Sequence, residues 1–95
     1  MTEPRPPIQN PQALFTELDD GTGVLLHLET KFYYTLNATA VFVWKALGEA
    51  EAPSAAAIAD ELTRVFRVER EVAERDVESI LAEMIADGLL IERPG

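Results

Sequence analysis

The stretch Lys31 to Leu47, KFYYTLNATAVFVWKAL, decides how this chain folds. Tyr33, Tyr34 and Thr35 favour a strand, because aromatic and branched side chains pack well on a pleated surface. Asn37 stands directly before an apolar run and suits a helix N-cap, its side-chain oxygen accepting a backbone N–H of the first turn. The run then offers Val41, Phe42, Val43, Trp44 and Leu47, with Lys45 its only charge. A helix that apolar all round is expected to be buried all round. An aromatic strand running straight into a central helix, in a chain too small for a catalytic cleft, points to a binding module.

Working outward, 95 residues make one domain with a single core. The apolar fraction of 47% argues for a folded chain. With no cysteine, disulfides and thiolate metal sites are excluded. No apolar run reaches the ~18 residues of a membrane span. The opening MTEPRPPIQNP lacks the apolar core of a signal peptide, so a cytoplasmic protein is expected.

Charge divides function classes more sharply. Of the net −9, residues 1–48 carry −2 (five acids, three bases) and residues 49–95 carry −7 (twelve acids, five bases). Nucleic-acid affinity rests on Lys and Arg neutralising phosphates, so this balance opposes it. The acids read either as solvated helix faces or as a surface for a basic partner.

Pro4, Pro6, Pro7 and Pro11 mark residues 1–12 as a flexible leader without regular structure. The remaining 13–95 form the domain. Ala13 to Leu18 reads as a first strand, followed by a turn at Asp19-Asp20-Gly21-Thr22-Gly23. Val24 to Leu28 is the second strand, with Val24, Leu26 and Leu28 on one face and Leu25 and His27 on the other. Glu29-Thr30 reverses the chain into the third strand. There Phe32, Tyr34 and Leu36 are expected inward, and Tyr33 and Thr35 outward. Short links imply an antiparallel meander.

Three helices follow. The first runs from about Ala38 to Leu47 and stops at Gly48, a favourable residue just past a helix end. Ser54 caps the second, whose stripe is Ile58, Leu62, Val65 and Phe66. The third, from about Glu71 to Asp87 before Gly88, has an apolar stripe of Ala73, Val77, Ile80, Leu81, Met84 and Ile85. That stripe spans about 140°, wider than one core contact needs. Leu89 to Glu92 can return as an extended tail. The fold expected is α+β: a three-stranded antiparallel sheet followed by three helices, winged helix-turn-helix-like.

LLHLETKFYYTLNATAVFVWKAL resembles the PqqD-like family, also called RiPP recognition elements. The resemblance lies in Tyr33, Tyr34, Leu36 and Asn37 ahead of Val43-Trp44. It continues in IADELTRVFRV, in Asp76-Val77 and in Asp87-Gly88-Leu89-Leu90, covering roughly residues 13–92. One departure is Lys31, where many members carry glycine. The resemblance implies a chaperone that binds the leader segment of a ribosomally made precursor peptide. The leader would add as a strand to the third strand, in a cleft with the third helix. It would then be presented to a modifying enzyme, such as a radical SAM maturase or a leader peptidase. Carried onto this chain, peptide contact falls to Lys31, Tyr33, Tyr34, Thr35, Asp76, Val77, Ile80, Leu81 and Met84. Leu81 and Met84 serve equally well as core, and Glu83 or Asp76 could hold a basic leader residue. An exposed edge strand also permits a homodimer.

His27 is expected to be a surface strand residue; a lone histidine forms no nucleophile–base or metal pattern. With no glycine-rich phosphate loop either, neither an enzyme nor a cofactor or metal site is expected. The alternatives are a winged-helix DNA-binding regulator and a general protein–protein adaptor. The first suffers from Glu71, Glu74, Asp76, Glu78 and Glu83 on its would-be recognition helix.

Overall fold

The computed structural model describes residues 6–49 and 51–92. Five strands and three helices are arranged among them. Strand β1 is Ile8–Gln9, β2 Ala13–Glu17, β3 Gly23–His27 and β4 Tyr33–Leu36; helices α1 (Ala38–Leu47), α2 (Ala55–Val65) and α3 (Arg70–Ala86) follow, then β5 (Leu90–Ile91). Strands β2, β3 and β4 form the expected antiparallel meander, with β3 in the middle.

The first two helices form where local chemistry puts them. Asn37 is extended, and its side chain accepts from the Ala40 amide at 2.9 Å, starting α1 at Ala38. Ser54 does the same for α2 through the Ala57 amide. The core lies between the sheet and the helices and is built on Leu25, Val43, Ile58, Leu62, Val77, Leu89 and Leu90. Each such side chain contributes about 1.5–3 kcal/mol by leaving water.

Several expectations are corrected by the packing. Helix α1 is not buried all round: Ala38 and Lys45 are exposed and Phe42 is half-buried. Phe42 meets the Phe66 ring edge-on at 5.8 Å. Val65 and Phe66 are themselves exposed, because α2 ends there and the turn through Arg67 (φ +54°) returns Val68 to the core instead. Phe32 is 63% exposed; β4 begins only at Tyr33, and Phe32 stays in the hairpin. His27 is only 6% exposed. It shares its face with Leu25, and the Nδ1 atom accepts the Glu29 amide at 3.2 Å and the Thr30 amide at 3.4 Å. Those bonds satisfy a polar group that burial would otherwise penalise. Gly48 ends α1 in an ordinary right-handed conformation (φ −85°). Its lack of a side chain matters for space instead: a Cβ would lie 2.9 Å from the side-chain Nε2 of Gln9.

The leader also departs from expectation. Pro4 lies outside the described residues, but β1 pairs antiparallel with β5, Ile8 opposite Ile91 and Gln9 opposite Leu90. Gln9 donates to the Trp44 carbonyl at 2.8 Å. The extended tail, by contrast, forms as expected in β5.

Helix α3 closes with two interlocked bonds. The Leu89 amide reaches the Met84 carbonyl at 2.8 Å, and the Gly88 amide reaches Ile85 at 3.1 Å. Gly88 carries φ +76°, the left-handed geometry this ending requires.

Candidate functional site

Strand β4 is an edge. Its inner side is laced to β3, with Tyr33 opposite Leu26, Tyr34 opposite Leu25, Thr35 opposite Val24 and Leu36 opposite Gly23. The His27 amide donates to the Phe32 carbonyl, which fixes the phase of this ladder. Bonded pairs alternate in an antiparallel ladder. It follows that Tyr34 and Leu36 bond to β3, while the N–H and C=O groups of Tyr33 and Thr35 point away from it. No described strand pairs with that side.

Facing this edge lies a concavity of about 450 Å³. One wall is β4 from Tyr33 to Leu36, with Asn37 continuing it. The other is α3, through Ile80, Glu83, Met84 and Asp87, and Ala40 and Leu89 complete the lining. The α3 residues follow the i, i+3, i+4, i+7 spacing of one helical face. Met84 is 4% exposed and forms the floor, whereas Ile80 is half-buried and Glu83 and Asp87 are exposed. The site is therefore a trough with an unsatisfied backbone edge, an apolar floor and two carboxylates on its helical rim.

Five of the nine residues read from the sequence meet here: Tyr33, Tyr34, Thr35, Ile80 and Met84. Tyr33 is 70% exposed on the open face of the sheet, and Tyr34 packs partly into the core. The other four stand elsewhere. Val77 is 1% exposed and sits beside Ala55 and Ala59 where α2 packs on α3. Leu81 also packs against the core and does not line the trough. At ~100° per residue these two are turned about 60° and 100° from Ile80, toward α2. Asp76 is exposed one turn before the trough begins. Lys31 occupies the hairpin with φ +67°, the left-handed conformation that favours glycine.

Leu36, Asn37, Ala40, Asp87 and Leu89 line the trough without having been singled out for it, and Glu83 was noted only for its charge. Extending the α3 row from Ile80 by three, four and seven residues would have found Glu83, Met84 and Asp87. Among the described residues, no group of three or more His, Asp or Glu converges as a metal ion would require. No helix there is long and apolar enough to cross a membrane.

Residues 22–90 match the sequence profile described as coenzyme PQQ synthesis protein D (PqqD). No curated protein matches the chain. Among solved structures, TbiB1 in complex with the TbiA(beta) leader peptide superposes with a TM-score of 0.80 at 26% identity, over 93% of this chain and 99% of that one. Lasso peptide synthetase B1, complexed with the leader peptide, gives a TM-score of 0.76 at 30% identity, over 87% of this chain and 94% of that one.

Proposed function

The chain belongs to the PqqD family, and from that premise we propose that it captures the leader segment of a ribosomally made precursor peptide and presents it to a modifying enzyme. The leader pairs as an added strand with the outward N–H and C=O groups of Tyr33 and Thr35. Main-chain hydrogen bonds supply affinity in this mode, and pockets for alternate side chains supply specificity. Side chains on the helix-facing side drop onto Ile80 and Met84. Methionine suits such a floor because its flexible thioether repacks around different partners.

The observation that carries this reading is the open edge of β4 lying directly across a trough from an apolar helical face. Both solved relatives above were obtained with a leader peptide, which supports the same occupant here. The enzyme served is of the radical SAM maturase or leader peptidase kind, and the work is done in the cytoplasm, where precursors are made. The protein itself takes the part of a binding subunit rather than a catalyst.

The test is titration of a labelled leader peptide, encoded beside this chain, against the wild type and Ile80→Glu. A charge forced against an apolar floor is costly, so binding by the wild type and loss of at least tenfold in the variant is expected. Amide signals of Tyr33 and Thr35 should become protected from hydrogen exchange on binding. A wild type that ignores its leader, or one that binds with both amides unprotected, contradicts strand addition at β4.

A further inference from the structure

The C-terminal end of α3 is unbalanced in charge, and the imbalance faces the trough. Glu83 and Asp87 stand one turn apart on the rim, both exposed. Among the described residues neither has a cationic partner. The last turn of α3 contains no basic residue. A helix C-terminus already carries roughly half a negative charge, and cations, not carboxylates, are the stabilising residues there. Two carboxylates at that end therefore repel both the helix terminus and each other in the empty protein. A cation brought by a ligand removes the repulsion.

Resting on the leader-binding reading above, we propose that the groove selects an extended peptide carrying Lys or Arg two residues from an apolar anchor. The spacing follows from the two walls. The apolar floor centres between Ile80 and Met84, and the acidic rim between Glu83 and Asp87. These centres are three residues apart, roughly 5 Å along a helix axis. Side chains on one face of a strand recur every second residue, roughly 7 Å. One strand position thus covers the floor, and the next on the same face reaches the carboxylates with a long basic side chain. Such a side chain can lay its methylene stem along the apolar floor while its charged head meets the rim. The groove's occupant is in this way matched to it in charge as well as in backbone.

The experiment selects a random library of displayed peptides, about twelve residues long to span the groove and its flanks. Selection runs in parallel on the full wild-type chain and on Glu83→Gln/Asp87→Asn. Amide replacements at two exposed positions keep shape, and circular dichroism checks that both proteins fold alike. The expected result is an apolar-x-Lys/Arg pattern, read in either chain direction, in wild-type winners and its disappearance in the variant. A winning peptide should bind the variant about fivefold more weakly, the upper end for a solvent-exposed ion pair. The same peptide with norleucine for its basic residue should bind both proteins equally. Winners lacking the basic position, or keeping it on the variant, overturn the charge assignment and leave strand capture standing. If neither protein enriches any peptide, the leader-binding reading fails and this inference fails with it.

Discussion

Asn10 donates its side-chain amide to the carbonyl of Gly88 at 2.7 Å, joining positions separated by 78 residues in sequence. Its backbone amide reaches the Leu89 carbonyl at 2.9 Å, so one residue holds two successive carbonyls just past the end of α3. Leu89 is fully buried and lines the trough. The segment before β2 is thus a clasp on the groove's own wall.

Removing that clasp should be felt. A net hydrogen bond is worth about 0.5–1.5 kcal/mol, and an orphaned buried acceptor costs more. Asn10→Ala should lower unfolding free energy by about 1 kcal/mol. Deleting residues 1–12, which also removes the β1–β5 ladder and the Gln9 bond to Trp44, should cost more than Asn10→Ala alone. Urea denaturation of the three proteins checks both statements; equal stability of all three would show that the clasp contributes nothing.

Lys31 should be improved by substitution. At φ +67° a side chain clashes with its own backbone, at about 1–2 kcal/mol, whereas glycine adopts this geometry freely. Glycine also loses more entropy on folding, which offsets part of the gain. Lys31→Gly should therefore raise the denaturation midpoint by an amount equivalent to about 0.5–1 kcal/mol. Affinity for a leader peptide should stay within about twofold, a difference of under half a kcal/mol. Side-by-side melts and titrations read the two effects separately.

Gly88→Ala should do the opposite. The left-handed φ of +76° strains any side chain, and its Cβ would come within 3.2 Å of His27 Nε2. The helix ending and the buried imidazole would both have to shift, at a cost of about 1–2 kcal/mol. Because Leu89 follows directly, peptide binding should weaken along with stability. A variant as stable as wild type would mean the turn relaxes without strain.

Ile80 and Leu81 are neighbours with separable roles. Both pack against the core, but only Ile80 also lines the trough. Leu81→Ala should cost about 2 kcal/mol, the low end for a partly buried leucine, and leave peptide affinity near wild type. Ile80→Ala should lose affinity as well as stability. Thermal melts and peptide titration on both proteins separate the two roles, and identical profiles would remove the distinction.

Much of this fold was legible because its signals are local. Asn37 and Ser54 announce their helices by hydrogen bonds within three residues, and Gly88 marks the end of α3 through its own backbone geometry. Alternation also partitioned β3 correctly, placing His27 with Leu25. It could not say that the imidazole's need for partners is met by the Glu29 and Thr30 amides, so polarity suggested the wrong side. The clasp was invisible for a different reason: a two-residue ladder between opposite ends of the chain has no periodicity to detect. At the site, the strand wall was readable from the tyrosines. Its helical wall was only half readable, because the wide apolar stripe of α3 serves two neighbours. Val77 and Leu81 turn toward α2 and the core while Ile80 and Met84 turn toward β4, and sequence spacing alone gives the stripe without saying which neighbour each edge meets.

Ile8 stands directly opposite Ile91, so two points near the ends of the described chain lie about one interstrand spacing apart, roughly 5 Å. Topologically the polypeptide is almost a ring. Among the described residues neither β1 nor β5 has another strand to pair with, so fraying of one strand leaves the other unpaired as well. Tethers attached at Ile8 and at Ile91 would leave the fold at neighbouring points, and a few residues would suffice to bridge that pair in a circular permutant spanning Ile8 to Ile91.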